Sequence, residues 1–423
     1  MAFKKLKLAA GLLATALAGS AMAAEGPVPN GVSHLDHVFL IMMENHGYGQ
    51  ILKNPNAPFI NELAGKANLA TNYFAVGHPS LTNYLEVVGG SNFGVLSDNN
   101  PDWHSTSCKT NLSSGIPATD TPSNGAICPI AGTGTDAPTV AVDTTNEDPG
   151  HALNNINGSM LFLAANTVGK TIGDQLVAKG KSWKSYQESL PLSGADNVNY
   201  SDGVFTDKTD FSQLVPAFNP ASGVVSLYAS KHNPFVYFKS VQDGTDPRNS
   251  LNNSVGFDGP EGLYADLATG KVPSFSLIAP NQCNDQHGRG NAGPFCNYDP
   301  NDNGSQAGLN PALIYQGDLT VKRLVQSIKA SPAWREGQNA IIVMWDENDY
   351  SIAPNTNQVI AIVDSNNRDD DDHHHDQRNG RVQSSTFYTH FSMLKSLESA
   401  FGLPCLNHAC DDTTAVMADM FRR

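Results

Sequence analysis

The sequence predicts an α/β fold, a three-layer α/β/α sandwich in which helices cover both faces of a mostly parallel β-sheet. Several apolar runs are continuous rather than alternating, which is typical of strands covered on both faces. These runs alternate with segments of helical spacing, which indicates an open sheet between helical layers. The 423 residues suffice for one large domain or two ordinary ones. We interpret residues 24–423 as one domain with polar, loop-rich insertions at about 97–165 and 364–385.

The strands are predicted from the apolar runs. Residues 37–43 form one such run, which ends at Glu44, and residues 340–345 form a second, which ends at Asp346. Further strands are expected at residues 182–186, 235–238, 274–278 and 358–363.

The helices are predicted between these runs, at residues 61–67, 80–88, 171–179, 318–329 and 389–401. In the fourth segment, apolar residues stand at positions 321, 324, 325 and 328, which is helical spacing. Gly89 and Gly90 follow the second segment and are a typical helix stop.

The first 23 residues have the pattern of a secretory signal. Lys4, Lys5 and Lys7 precede a short apolar core, and small residues at 21–23 suit cleavage. The alternative is an uncleaved amphipathic helix. We therefore expect a periplasmic or secreted protein, whose net charge changes from −15 to −18 when the three lysines are removed.

The excess of acidic over basic residues argues against some classes of function. A chain without a basic run is a poor candidate for general nucleic-acid binding, because phosphate backbones attract Lys and Arg. No apolar stretch approaches the roughly 20 residues that a membrane span needs. The sequence gives no indication of the oligomeric state.

The cysteines agree with export. There are six, and an even number in an exported protein suggests disulfides. Pairing of sequence neighbours is the simplest of the possible connectivities, joining residues 108 to 128, 283 to 296 and 405 to 410. A zinc site is the weaker alternative, because no CxxC pair is present.

Polar side chains follow the two clearest strands. Glu44 and Asn45 follow the first, and Asp346 and Glu347 follow the second. Sites in open α/β sheets form beyond the carboxyl ends of the strands, so we expect these oxygens along one edge. Hard divalent cations bind such ligands. Any strand can end in polar residues, but two pairs after two buried-type strands favour a metal site.

Ser80 lies at a predicted helix start, directly after Pro79. Backbone N–H groups and the helix dipole favour an anion there, and a nearby cation would help form a serine alkoxide. The alternative is a helix cap without catalytic function. Asp285 and His287 follow the strand that ends at residue 278, on the same edge, and His390 begins the last helix.

These motifs together resemble the secreted phosphoesterase family that contains bacterial acid phosphatases and nonspecific phospholipases C, in the alkaline-phosphatase-like superfamily. The resemblance extends in order from about residue 35 to 404, except in the two insertions. Its motifs are Glu-Asn-His at 44–46, His-Pro-Ser-x-x-Asn-Tyr at 78–84, Asn-Asp-x-His at 284–287, Trp-Asp-Glu at 345–347 and Tyr-Thr-His-Phe-Ser at 388–392.

The resemblance implies an alkaline-phosphatase-like fold and one divalent metal ion, which is Mg, Ca, Mn or Zn. Its ligands would be Glu44, Asn45, Ser80, Asp346 and Glu347. Thr82 stands where family members usually have Pro. The candidate catalytic residues are the nucleophile Ser80 with Asn83, His78, Asp285, His287 and His390, and the last two match histidines near the substrate phosphate.

The implied activity is that of an exported, metal-dependent phosphoesterase that hydrolyses phosphate monoesters through a phosphoserine intermediate. Either His287 or His390 would protonate the leaving group, which predicts an acidic pH optimum. One alternative is a phospholipase C that cleaves phosphodiester headgroups of phospholipids. A more remote one is a noncatalytic exported binding protein of the same fold. The enzymatic interpretation requires residues 44–45, 80 and 346–347 to meet.

Overall fold

A computed structural model describes most of the predicted domain. The described residues are 25–93, 95, 98, 102–103, 130–131, 155–156, 159–160, 168–190, 227–242, 244–288, 296, 310–349, 356–366 and 381–422. The predicted signal segment and most of the first insertion lie outside the described residues.

The strands are short and are distributed along the chain. In chain order they are β1 (His37–Met43), β2 (Asn68–Ala70), β3 (Tyr73–Phe74), β4 (Asp102–Trp103), β5 (Ile130–Ala131), β6 (Asn155–Ile156), β7 (Ser159–Met160), β8 (Trp183–Gln187), β9 (Ser254–Val255), β10 (Phe275–Ala279), β11 (Asn339–Trp345), β12 (Ala361–Ser365), β13 (Gln383–Ser384) and β14 (Tyr388–Thr389).

The helices alternate with these strands. The α-helices are α1 (Tyr48–Ile51), α2 (Pro58–Lys66), α3 (Ser80–Gly89), α4 (Ile172–Ala178), α5 (Lys239–Gln242), α6 (Leu263–Thr269), α7 (Pro311–Ala330), α8 (Pro332–Arg335) and α9 (His390–Phe401). Short 3₁₀-helices span Ser230–His232, Pro234–Tyr237, Leu251–Asn253 and Asn407–Cys410.

A sheet of eight strands forms the centre of the part of the chain that the structure describes. Its order is β13-β2-β12-β11-β1-β10-β8-β9. β1 pairs in parallel with β10 and β11, and β8 pairs in parallel with β9 and β10. β12 runs antiparallel to both of its neighbours. The sheet is therefore mostly parallel, as the continuous apolar runs predicted.

The helices pack in two groups. α3 contacts α4 and α9, whereas α7 contacts α2, α6 and α8. The central strand β1 explains this arrangement, because Phe39, Leu40, Ile41 and Met42 are fully buried although alternate side chains point to opposite faces. Both faces of the sheet must be covered, and the predicted α/β fold is confirmed. Among the described helices, none has both the length and the apolar character that crossing a membrane requires.

Four predicted elements differ from the structure, and one of them is α2, which begins at Pro58 rather than at residue 61. Residues 235–238 were expected to be a strand, but Pro234–Tyr237 is a 3₁₀-helix. Pro234 at its start suits a helix, and the buried ring of Phe235 stacks on Trp183 with a centroid distance of 4.1 Å. The apolar side chains of this segment pack in the core. An apolar run alone does not distinguish a buried helical segment from a strand.

The other two differences concern boundaries. α7 begins at Pro311, seven residues before the predicted start, because Asn310 caps the helix by accepting a hydrogen bond from Leu313 N. β12 begins at Ala361 rather than at residue 358.

Two of the expected disulfides are present. Cys283 is bonded to Cys296, and Cys405 is bonded to Cys410. The predicted pair at positions 108 and 128 lies outside the described residues. The first bond joins the loop after β10, which carries Asp285 and His287, to a second segment of the chain.

Glu398 is a buried carboxylate in α9. Its Oε1 accepts a hydrogen bond from Leu406 N at 2.8 Å, which fixes the turn after the helix. Burial raises its pKa well above the usual value, although Leu406 and Lys395 partly oppose the shift. Because the folded protein holds this proton at pH values where the unfolded chain has released it, Glu398 makes folding less favourable as pH rises above about 4.5.

We expect Glu398→Gln to raise Tm by roughly 2 °C or more at pH 8 and to leave it unchanged near pH 4.5, because glutamine keeps the acceptor without a titrating charge. Thermal unfolding at both pH values measures this difference. Glu62→Gln is the control, since Glu62 is exposed and pairs with Lys66. An equal shift at both pH values would contradict the assignment.

Candidate active site

The register of the sheet brings the two predicted pairs of polar residues together. Met43 of β1 lies opposite Trp345 of β11, so both strands end at the same level. Asp346 N then donates to Met43 O at 3.0 Å. Asn45 has a left-handed conformation, φ 57°, and its backbone N donates to Asp346 Oδ1 at 3.0 Å. The structure thus joins the segments after β1 and β11 into one polar cluster.

Ser80 reaches this cluster from the first turn of α3. Its Oγ lies 3.1 Å from Glu44 Oε2 and 3.2 Å from Glu347 Oε1. Pro79 occupies the N-cap position, and its own side chain makes no capping hydrogen bond. The Ser80 hydroxyl therefore bonds to carboxylates and does not serve as a helix cap.

All ten residues of α3 are buried. Asn83 fixes the turn that precedes this helix, since its Oδ1 accepts hydrogen bonds from Val76 N and Gly77 N, each at 3.1 Å. Its Nδ2 donates to Gly77 O at 2.9 Å and to Glu347 Oε2 at 3.0 Å. Asn83 thereby orients both helix α3, which carries Ser80, and one carboxylate.

His78 also holds Glu347. Its Nδ1 lies 2.9 Å from Glu347 Oε2, and its Nε2 lies 3.1 Å from Asn348 Oδ1. Burial raises the pKa of Glu347, and His78 partly offsets this. The structure places His78 as a partner of the Glu347 carboxylate.

A second donor group lies on the other side of Glu44. His232 Nε2 lies 2.9 Å from Glu44 Oε1, and His232 Nδ1 lies 3.4 Å from Asp285 Oδ2. One donor atom from each of these three residues falls within 4.8 Å of the others, which is close enough to hold a metal ion. The ring of His232 stacks on Tyr84 of α3 with a centroid distance of 5.2 Å.

Burial makes this concentration of acid groups unfavourable without a cation. Burial raises the pKa of Asp346 and of Asp285 well above the usual value, and the charge of Glu44 raises both further. Burial would also raise the pKa of Glu44, but His232 and Lys231 hold it well below its ordinary value. Glu44 is thus the ionised centre of the cluster.

Asp346 Oδ2 is the atom that best indicates a metal ion. It is buried, and no donor among the described residues lies within hydrogen-bond distance of it. A buried carboxylate oxygen without a donor is costly. Glu44 and Glu347 are close enough to affect the pKa of Asp346, and carboxylate oxygens are donors that fit a divalent cation.

The two predicted general acids are engaged elsewhere. His287 Nδ1 lies 2.9 Å from Gly288 O and so carries the hydrogen in the neutral ring, which leaves Nε2 as an acceptor facing Lys231. His390 is fully buried, with Nε2 2.6 Å from Asp346 O and Nδ1 3.0 Å from Tyr73 OH.

Burial lowers the pKa of both histidines to about 4, with Lys231 adding to the effect at His287. Both rings are therefore neutral at mildly acidic pH. The general-acid role of His287 or His390, and the acidic pH optimum that follows from it, stay predictions.

Lys231 is a site residue that the sequence analysis missed. Its Nζ lies 3.2 Å from Ser80 Oγ, 3.1 Å from Asp98 Oδ2 and 3.4 Å from His287 Nε2. Asp98 also accepts a hydrogen bond from Leu81 N at 3.1 Å. A lysine beside His232 was the available signal, but nothing local distinguishes it from a surface lysine.

Comparison with known proteins agrees with the predicted resemblance. The profile of the Phosphoesterase family matches residues 50–294. An acid phosphatase of Aspergillus fumigatus is 24% identical over 382 residues, which are 90% of this chain and 58% of that protein. The phosphatidylinositol-3-phosphatase of Mycobacterium tuberculosis is 23% identical over 406 residues, which are 94% of this chain and 89% of that protein.

The chain spans about 60% of the length of the acid phosphatases of Aspergillus fumigatus and Penicillium chrysogenum that it matches. Among solved structures, a protein in the alkaline phosphatase superfamily from Vibrio parahaemolyticus aligns with 92% of this chain and 72% of that chain, at 12% identity and a TM-score of 0.43. Because the family profile matches more than half of its residues, the chain belongs to the Phosphoesterase family.

Proposed function

We propose that this protein hydrolyses phosphate monoesters, with Ser80 as the nucleophile and a divalent cation bound beside it. The observation that carries the proposal is the position of Ser80 Oγ, at a helix start and within 3.2 Å of the Glu44 and Glu347 carboxylates. A hydroxyl held between carboxylates that require a cation is suited to activation.

Glu44, Asn45, Ser80, Asp346 and Glu347 would hold the cation, as the sequence predicted. When bound, it would lower the pKa of the serine hydroxyl and neutralise charge on the phosphoryl oxygens. His232 and Asp285 extend the donor set beyond Glu44. The oxygen donors suit Mg, Ca or Mn, and the nearby imidazole also suits Zn.

The first transfer forms a phosphoserine. A lone pair of Ser80 Oγ forms the bond to phosphorus while the ester P–O bond breaks, and its electron pair leaves on the ester oxygen. The Ser80 proton passes to Glu44 or Glu347, whichever accepts its hydrogen bond. Since His287 and His390 are neutral at mildly acidic pH, the leaving oxygen would take a proton from water.

The second transfer releases phosphate. A water oxygen forms a bond to phosphorus and gives one proton to the hydroxide left by the first step. The P–Oγ bond breaks with its electron pair on Oγ, and Oγ takes back the proton held by Glu44 or Glu347. Backbone N–H groups and the dipole at the start of α3 favour the negative charge of the phosphoryl group in both steps.

Relatives favour a phosphatase over a phospholipase C. The proteins compared above are named acid phosphatases and a phosphatidylinositol-3-phosphatase. A noncatalytic protein of this fold would lack the serine or some of the metal donors, whereas this chain has Ser80 and each of the other predicted donors. The substrate class is therefore a phosphate monoester, soluble or on a lipid. Two disulfides support export to the periplasm or the medium.

Ser80→Ala is expected to lower kcat for an aryl phosphate by at least about 10³-fold, because it removes the hydroxyl that would form the intermediate. Thr82→Val is the matched control. Thr82 lies on the same helix, but its hydroxyl donates to Pro79 O, so kcat should change little. Rapid quenching should trap labelled phosphate on the wild type alone. Turnover that survives in Ser80→Ala would disprove the mechanism.

Removal of the metal is expected to abolish turnover and to lower Tm, because the buried carboxylates then repel one another. Restoring each of Mg, Ca, Mn and Zn to the chelated protein, with Tm and turnover measured, identifies the metal. Asp346→Asn should lose most of the Tm gain, whereas Glu398→Gln should retain it. Full activity after exhaustive chelation, with no metal found by elemental analysis, would contradict a metal requirement.

A further inference from the structure

Lys231 places a positive charge beside the reacting hydroxyl. Its Nζ lies 3.2 Å from Ser80 Oγ, and only 13% of its side chain is exposed. Its Nζ also lies 3.1 Å from Asp98 Oδ2, and this ion pair keeps the ammonium group beside Ser80.

The surrounding structure holds this ammonium in position. Asp98 accepts from both Lys231 Nζ and Leu81 N, which links the lysine to the first turn of α3. The next residue, His232, pairs with Glu44 and stacks on Tyr84. Its backbone carbonyl accepts a hydrogen bond from Gln187 Nε2 at 2.9 Å.

The turn that carries Lys231 is also held by hydrogen bonds to the central sheet. Asn233 accepts a hydrogen bond from Ser185 Oγ at 2.9 Å and donates to Ser254 Oγ at 3.2 Å, which connects the turn to strands β8 and β9. The lysine thus extends from a rigid base, so little order must be gained when a substrate arrives.

The negative charges of the site and of the substrate give the Lys231 ammonium group a function. The cluster contains several carboxylates, and a phosphate monoester brings about two further negative charges at neutral pH. A cation that touches Ser80 Oγ is also within reach of a phosphoryl oxygen once phosphorus approaches that hydroxyl. A diester carries one negative charge and so gains less from the same ammonium.

We propose that Lys231 is a catalytic residue that pairs with a nonbridging phosphoryl oxygen during attack by Ser80, and that it sets the preference for dianionic monoesters over diesters. The inference rests on the proposed function and deepens it. Lys231 gives up no proton: the Oγ–P bond forms, the ester P–O bond breaks toward the leaving oxygen, and the ammonium stabilises charge that accumulates on the phosphoryl group.

The test compares two substrates with the same leaving group, para-nitrophenyl phosphate and bis(para-nitrophenyl) phosphate, at pH 7 on the metal-loaded protein. Lys231→Met should lower kcat/KM about 100-fold for the monoester and less than about tenfold for the diester. Lys231→Arg keeps the charge and should keep most of the preference. In Lys231→Ala, added ethylammonium should restore monoester turnover selectively.

Lys184→Met is the matched control. Lys184 is also partly buried and paired with an aspartate, Asp266, at 2.6 Å, but it lies on β8 outside the site. In Lys184→Met, the ratio of kcat/KM for the monoester to kcat/KM for the diester should equal that of the wild type. Circular dichroism and Tm confirm folding of each variant, and Lys231→Arg provides the comparison if Lys231→Met does not fold.

The outcomes separate the two proposals. Equal losses for both esters in Lys231→Met, or no loss at all, would overturn the role of Lys231 while leaving the proposed function intact. If Lys231→Met does not fold, loss of the preference in Lys231→Arg would overturn it instead. A metal-loaded wild type that hydrolyses neither ester would overturn the proposed function and this inference together.

Discussion

The site depends on the burial of negative charge. Glu44, Asp285, Asp346 and Glu347 are nearly inaccessible to water, and the positive side chains around them are few. A folded protein tolerates such a group only when cations and hydrogen bonds compensate for the lost hydration. His232, His78 and Lys231 supply part of that compensation, and the remaining deficit centres on Asp346 Oδ2. The cluster is therefore one that a bound cation would stabilise.

The sheet explains why these groups can be assembled so closely. Parallel strands deliver their following residues to one edge, and register fixes which residues become neighbours. The loop after β10 joins the same edge, because Glu44 N donates to Asp285 O at 2.9 Å. Three segments that are distant in sequence thereby share a single layer of hydrogen bonds beneath the reacting groups.

Much of this arrangement could be predicted from the sequence, for identifiable reasons. The strands before Glu44 and Asp346 were predictable because a strand buried on both faces has no polar positions. Ser80 could be identified because Pro79 marks a helix start. The order of the strands in the sheet was not accessible, since apolar runs contain no information on their neighbours.

The roles of the histidines and of Lys231 could not be predicted from the sequence in the same way. His287 and His390 are typical catalytic residues by type, but their function depends on which atoms face their ring nitrogens, and Gly288 O and Asp346 O are backbone groups. Lys231 contacts residues 133 and 151 positions away, Asp98 and Ser80. Only the folded chain reveals such contacts.

Ser80 stands on a helix without a solvent-facing side. Ordinary surface helices accept many substitutions on their outer face, whereas each position of α3 must satisfy packed neighbours on every side. A substitution anywhere in this helix would therefore disturb its surroundings and, through them, the position of the Ser80 hydroxyl.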